Sequence, residues 1–322
     1  MEVIEKSNIK YSYQKNKDQD LNPILELYRG KVYAYILKSF IFNCTENLGT
    51  KIFSIKKSYP RTITNLLSSW FFTLYSSYDF SDDSFFPSNF HNIDPLYDTL
   101  SDFTKYDANI QNKEEKIKII LDKLKFTYSE AMNNLREYKK SEYYIEKKTL
   151  YTVEKKKIIQ IRGKDKINFY KFLISFPFKL RDKRQENIIN NILIPEYIYN
   201  KLKNKYIGEE NKMDDYLWII IYRYQLLGSN NNQLGVLPDI LDKMHHDFNL
   251  NFECFASSIN STFNDYCSIY YDVEKYFGSK GNFFNFTPIE GTFGFNPPYQ
   301  KNVMDRGIKK LICFLEQADS NG

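Results

Sequence analysis

Asn296-Pro297-Pro298-Tyr299 follows a short apolar run, Thr292 to Phe295, that reads as a buried strand. Each proline fixes φ and removes a backbone N–H, so this strand end presents acceptors with little competition for them. In open α/β sheets, ligands bind beyond the carboxyl ends of the strands, and Asn296 stands there. The Asn296 side-chain oxygen and the Pro297 carbonyl can each accept one N–H of an exocyclic amine. Such an amine is a poor nucleophile, because its lone pair is delocalised into the ring. Two acceptors aim its nitrogen at a sulfonium methyl and favour a pyramidal geometry, which is methyl transfer by orientation and electrostatics. Tyr299 can stack on the base, worth about 1–3 kcal/mol. An ordinary strand-terminating turn fits the same tetrapeptide, so its surroundings must decide.

Those surroundings read as α/β from about residue 213. A helix over Asp214–Leu227 leads through a Gly/Ser/Asn loop to Pro238, which suits the first turn of a helix over Asp239–Phe248. Phe252–Ala256 then meets Ser257-Ser258, the pattern of a strand ending in a small-residue turn that faces the methionine end of a methyl donor. A helix around Ser261–Tyr270, strands over Asn282–Phe286 and Thr292–Phe295, and a helix from Lys301 complete the start of an open parallel sheet. Upstream, apolar residues at helical spacing predict helices over Ile24–Phe42, Thr62–Tyr78 and Lys113–Lys140. Leu150–Val153 and Ile158–Ile161 read as a hairpin with Lys155-Lys156-Lys157 at or near its turn. The polar stretch Glu209–Lys212 marks the boundary, giving a mainly helical domain over 1–212 and an α/β domain over 213–322.

Other candidate chemistry is sparse. Cys44, Cys254, Cys267 and Cys313 lie far apart without CxxC spacing, which favours reduced core thiols inside a cell, in nucleus or cytoplasm, over disulfides. With His91, His245 and the adjacent His246, they offer no spacing that holds a metal. The net charge of +5 is unevenly spread: Lys139–Arg184 carries fifteen Lys or Arg against five Asp or Glu. That segment suits either a solvated charged face or a phosphate-binding one. At 42% hydrophobic and 17% aromatic, the 322 residues are globular by composition. No apolar stretch is long enough to span a bilayer.

Trp218, Arg223-Tyr224-Gln225 within WIIIYRYQLLG, Leu237-Pro238, FECFAS at Phe252–Ser257 with Asn260, YCS at Tyr266–Ser268, YFGSKG at Tyr276–Gly281, Phe286, Pro288, Gly291 and Asn296-Pro297-Pro298 form one spaced set. On these residues the chain from about Ile194 onward resembles the cap-specific adenosine N6-methyltransferases, the phosphorylated-CTD-interacting-factor family. The resemblance implies a Rossmann-like class I domain that uses S-adenosyl-L-methionine, without metal, to methylate N6 of the 2′-O-methyladenosine next to the m7G cap of mRNA. It assigns catalysis to Asn296, Pro297, Pro298 and Tyr299. Cofactor binding falls to Phe255, Ala256, Ser257, Asn260, Asn285, Phe286 and Asn296. The helical domain would help hold the cap, with Lys139–Arg184 as the candidate surface from charge alone.

The sequence departs from the animal members at several points. Tyr299 replaces their Phe, Asn285 their Asp and Lys301 a Glu that meets substrate, and the tryptophan pair of a WW domain is absent. The chain ends 23 residues after Tyr299, so the sheet would stop at its fourth strand and expose an edge. A truncated or split product, a partner chain that completes the sheet, and a degenerate copy each account for this. Two other functions share the features: a non-catalytic RNA-binding or regulatory subunit, and an adenine-specific DNA methyltransferase that flips its base.

Overall fold

The computed structural model describes residues 2–6, 9–13, 20–49, 63–76, 83–88, 90–105, 110–162, 165–177, 192–228 and 235–321. The chain is a mixed α/β protein with a helical body and, among the described residues, three small sheets. An N-terminal hairpin, β1 (Glu2–Lys6) and β2 (Ile9–Tyr13), precedes α1 (Pro23–Leu48). Asn22 caps α1 by accepting from the N–H of Ile24 at 2.9 Å, and Pro23 fits the first turn, where its missing N–H costs nothing. The helix runs past its predicted end at Phe42 and stops at Gly49, whose φ of 83° suits glycine.

The body continues with α2 (Ile63–Tyr75), α3 (Asp94–Thr104), α4 (Lys113–Lys140) and α5 (Glu142–Lys147). Glu114 and Glu115 begin α4 and Lys139 and Lys140 end it, each complementing the helix dipole. Its stripe of Ile117, Ile120, Leu121, Leu124, Tyr128 and Leu135 is buried against Ile36 and Phe40 of α1 and Phe71 of α2, at about 1.5–3 kcal/mol per large side chain. Ser39 and Thr127, 3.0 Å apart, fix the α1–α4 register.

β3 (Thr152–Arg162) and β4 (Asp165–Ser175) form a long hairpin, to which β5 (Ile192–Pro195) adds antiparallel. The lysine triplet therefore lies within β3 and not at the turn. Lys155 sits over the Tyr199 ring at 4.0 Å and pairs with Asp214 at 3.2 Å, while Lys157 pairs with Glu196 at 2.6 Å. These partners come from α6 (Glu196–Lys205) and α7 (Met213–Leu226), and they make an in-strand position favourable. Of the basic segment, Lys139 also pairs internally, with Asp83 at 2.7 Å. Residues 163–164 and 178–184 of that segment lie outside the described ones.

Helix α7 starts at the expected boundary yet packs inside the helical core, with Leu217, Trp218, Ile219 and Ile220 at 0% exposure. It approaches α1 so closely that a Cβ on Gly30 would fall 2.0 Å from the Tyr222 hydroxyl. After α8 (Pro238–Phe248) come β6 (Leu250–Glu253), β7 (Asp265–Tyr266), the single turn α9 (Tyr271–Glu274), β8 (Phe286–Glu290), β9 (Thr292–Gly294) and α10 (Lys301–Asn321).

β7, β6 and β9 make a parallel sheet in that spatial order, and an isolated parallel bridge joins Tyr266 to Ser279 on the far side of β7. Two predicted elements differ. No helix spans Ser261–Tyr270, because Asp265-Tyr266 is extended and pairs in parallel with β6, while the N–H groups of Thr262 and Phe263 donate to the Glu253 carboxylate. Asn282–Phe286 is not a parallel strand. Asn282 accepts from the Phe284 N–H and caps a 3₁₀ turn over Phe283–Asn285, after which β8 pairs antiparallel with β2.

Candidate active site at the ends of β6 and β9

The loops leaving the carboxyl ends of β6 and β9 enclose a cavity of ≈ 620 Å³, within the roughly 300–1,000 Å³ of small-molecule sites. Phe255, Ala256, Ser257 and Asn260 line it from the β6 side, and Asn296, Pro297, Pro298 and Tyr299 from the β9 side. The two loops are neighbours because their strands are: β6 pairs with β9, and the Cys254 N–H donates to Gly294 O at 2.8 Å, while on the other side the Ala256 N–H donates to Cys267 O, just past β7, at 2.9 Å.

Past β6 the chain makes a tight turn in which Asn260 Oδ1 accepts from the Ser257 N–H at 2.7 Å and from its hydroxyl at 2.9 Å. The next residues are held from both sides. Glu253 accepts the N–H groups of Thr262 and Phe263, while Lys201 donates to the carbonyls of Ile259 and Ser261 and Lys205 to that of Phe263. Burial raises the Glu253 pKa against those N–H donors, and burial beside Lys201 brings Lys205 down to about 8.

The aromatic wall is Phe255, Phe283, Phe284 and Phe295, with Phe255 and Phe283 centroids 4.7 Å apart and Phe255 and Phe295 edge-on at 5.4 Å. Helix α10 backs it. A Cβ on Gly307 would sit 2.9 Å from the Phe295 ring, and Lys310 donates to the carbonyls of Phe283 and Phe284. Asn296 is half-buried, and its side chain makes no hydrogen bond with another described residue. Tyr299 is 82% exposed. It also borders a second, polar cavity of ≈ 640 Å³ between α2, α3 and the start of α10, lined by Ser69, Thr73, Asp98, Asp102 and Lys301 among others.

Asn285 and Phe286 stand apart from the cavity wall. Phe286 is fully buried, stacked on Phe252 at 4.5 Å and against Tyr11 at 5.2 Å, and Asn285 keeps a buried Oδ1 that has no hydrogen-bond partner among the described residues. Sequence reasoning had no view of the walls supplied by other elements: Phe72, Tyr75 and Ser76 of α2, Tyr224 of α7, and Ser268 and Asn282. Only the packing of the body on the sheet brings them here; the available signals were the places of Tyr224 and of Ser268, in YCS, within the spaced set.

Residues 196–321 match the family model described as phosphorylated CTD interacting factor 1 WW domain. By this match and by its relatives, that segment is similar to the phosphorylated CTD-interacting-factor family. Over 108 residues, 32% of this chain, it is 36% identical to the mouse mRNA (2′-O-methyladenosine-N(6)-)-methyltransferase and 35% identical to the human one. The match spans 15% of the length of each relative. In this chain the family segment runs from α6 through α10 and so contains the parallel sheet, both loops of the cavity and one tryptophan, Trp218, buried in α7. Among the described residues no helix is long and apolar enough to cross a membrane, and no group of three or more His, Cys, Asp or Glu is placed to hold a metal ion.

Proposed function

We propose that the chain carries the methyl-transfer site of an S-adenosylmethionine-dependent RNA adenosine N6-methyltransferase, acting on the 2′-O-methyladenosine next to the m7G cap of mRNA. The observation that carries this reading is the meeting of the Phe255–Asn260 and Asn296–Tyr299 loops in one cavity, at the carboxyl ends of adjacent parallel strands. From β6 the chain moves outward to β7 and the Ser279 bridge, then returns to place β9 on the other side of β6. The order third, second, first, fourth is that of a Rossmann-like half-sheet, and the crevice between first and fourth strands is its ligand site.

The cavity's residues fit a donor of this kind. An aromatic wall suits a purine, and the Ser257, Asn260 and Ser268 edge offers polar groups for a ribose or an amino-acid tail. When bound, the donor supplies an electrophilic methyl on a sulfonium sulfur. Asn296 Oδ1 and the Pro297 carbonyl accept the two N–H groups of the adenine amine and point its lone pair into the cavity. Held by these two acceptors, the adenine nitrogen would take the methyl, whose bonding pair would stay with the donor's sulfur, and would shed a proton to water. Tyr299, exposed at the junction of the two cavities, stacks on the base as it enters.

The test combines calorimetry with S-adenosylhomocysteine and methyl transfer to m7G-capped RNA beginning with 2′-O-methyladenosine. Binding together with transfer to capped RNA supports the reading. Binding with transfer only to duplex DNA replaces the substrate, and absence of binding removes the catalytic reading in favour of a regulatory subunit.

A further inference from the structure

Tyr224 and Arg223 belong to the spaced set that marks the family segment, yet methyl transfer at Asn296 uses neither. Arg223 is fully buried, with Glu26 at 2.6 Å and Asp272 at 2.8 Å. Tyr224 lines the cavity and donates through its hydroxyl to Glu274 Oε2 at 3.1 Å. Glu274 is itself fully buried and, among the described residues, has no cationic partner. A buried carboxylate of that kind is costly unless donors meet its lone pairs. Here Oε1 accepts from the Ser258 N–H at 2.7 Å and the Ser258 hydroxyl at 3.0 Å, and Oε2 accepts from the Tyr270 N–H at 3.3 Å besides Tyr224. Ser258 in turn shares a hydrogen bond of 2.7 Å with the Tyr266 hydroxyl of β7.

One carboxylate thus joins three walls: the α7 ring, the turn after β6 and the end of β7. Ser258 lies inside the Ser257–Asn260 turn, so fixing its N–H fixes the backbone of the cavity edge. We infer that Glu274 is a positioning residue for the methyl donor, holding the Ser257–Asn260 turn and the Tyr224 ring in register without touching the ligand. This rests on the methyl-transfer reading above. Gln at this position keeps an oxygen for both Ser258 donors. Asp keeps the charge but withdraws it by one methylene, and Ala leaves the Ser258 N–H buried and unpaired.

The experiment measures S-adenosylhomocysteine affinity by calorimetry, and kcat and donor KM on capped RNA, for the full chain and for Glu274→Ala, Glu274→Asp and Glu274→Gln. Expected is a loss of donor affinity of about ten-fold or more for Ala and Asp. Their kcat at saturating donor holds, and Gln recovers most of the affinity. Wild-type affinity in a folded Ala or Asp variant, with only a lower melting temperature, overturns the inference and leaves the functional reading intact. So does a Gln variant as weak as Asp. A wild-type chain that binds no S-adenosylhomocysteine overturns the functional reading and this inference with it.

Discussion

At the scale of single residues, Asn296 and Tyr299 share a loop but face different tasks. Asn296 lines the cavity with an amide that no described residue engages, so its oxygen is available to an incoming N–H. Asn296→Ala is expected to lower kcat by about 10²–10³, the range for removing one preorganised group that acts in the transition state. S-adenosylhomocysteine affinity by calorimetry should stay within a few-fold of wild type, because the lost contact is to the acceptor amine. Equal loss of donor affinity would move Asn296 from acceptor to donor binding. Tyr299 is 82% exposed, so its substitution carries little stability cost. Tyr299→Ala should raise the KM for RNA by about 10-fold to 100-fold, the worth of one stacked base, while Tyr299→Phe keeps the ring and remains close to wild type. Both positions were legible in the sequence, because prolines leave a mark that tertiary context cannot erase. Phe72 and Tyr75 were not, because a buried aromatic on a helix looks the same whether it faces a core or a cavity.

At the scale of elements, the long helices followed their apolar period, and the misread pieces were short. A five-residue apolar run such as Asn282–Phe286 suits a strand or a turn, and what decided was Asn282 accepting the Phe284 N–H. Over 261–270 what decided was the parallel pairing of Asp265-Tyr266 with Phe252-Glu253 of β6. The lysine triplet looked like a turn until Asp214 and Glu196, some forty or more residues on, were seen to meet it. The loop after β6 carries its own pH signature. Burial lowers the Lys205 pKa to about 8, whereas in the unfolded chain it returns to about 10.4. Between these values the unfolded state binds more protons, so Lys205 makes stability rise with pH across that window; below about 8 its burial penalty is fully present. Lys310, also lowered to about 8 by burial, acts in the same direction. Urea unfolding at pH 7.5 and 9.5 should show a smaller gain on raising the pH for Lys205→Met than for wild type. An identical gain would mean that Lys205 keeps an ordinary pKa in the folded protein.

At the scale of the whole molecule, the helical body and the family segment share one interior. Tyr270, Val273 and Phe277, which follow β7, belong to the same apolar cluster as α1, α2, α4 and α7. At its centre lies a buried ionic network. Arg29 pairs with Glu26 and Asp83, and Arg223 pairs with Glu26 and Asp272, joining α1, the segment before α3, α7 and α9. Although burial opposes its ionisation, Arg29 and Lys139 hold the Asp83 carboxyl well below the usual carboxylate range. Such a network adds little over a well-packed apolar core, but losing one partner strands the rest. Arg223→Met therefore leaves Glu26 and Asp272 facing each other without their shared cation, and should cost about 3–5 kcal/mol in urea unfolding. Adding Glu26→Gln to Arg223→Met should cost less than the sum of the two single changes, because each of them alone already breaks the same Arg223–Glu26 pair. Because the network crosses from the body into the segment beneath the cavity, the wild-type chain should unfold in one transition, followed alike by tryptophan fluorescence, from Trp70 and Trp218, and by circular dichroism. Two resolved transitions, with Arg223→Met shifting only one of them, would show that the body and the segment from α6 to α10 fold as separate units and that the shared interior is an interface between them.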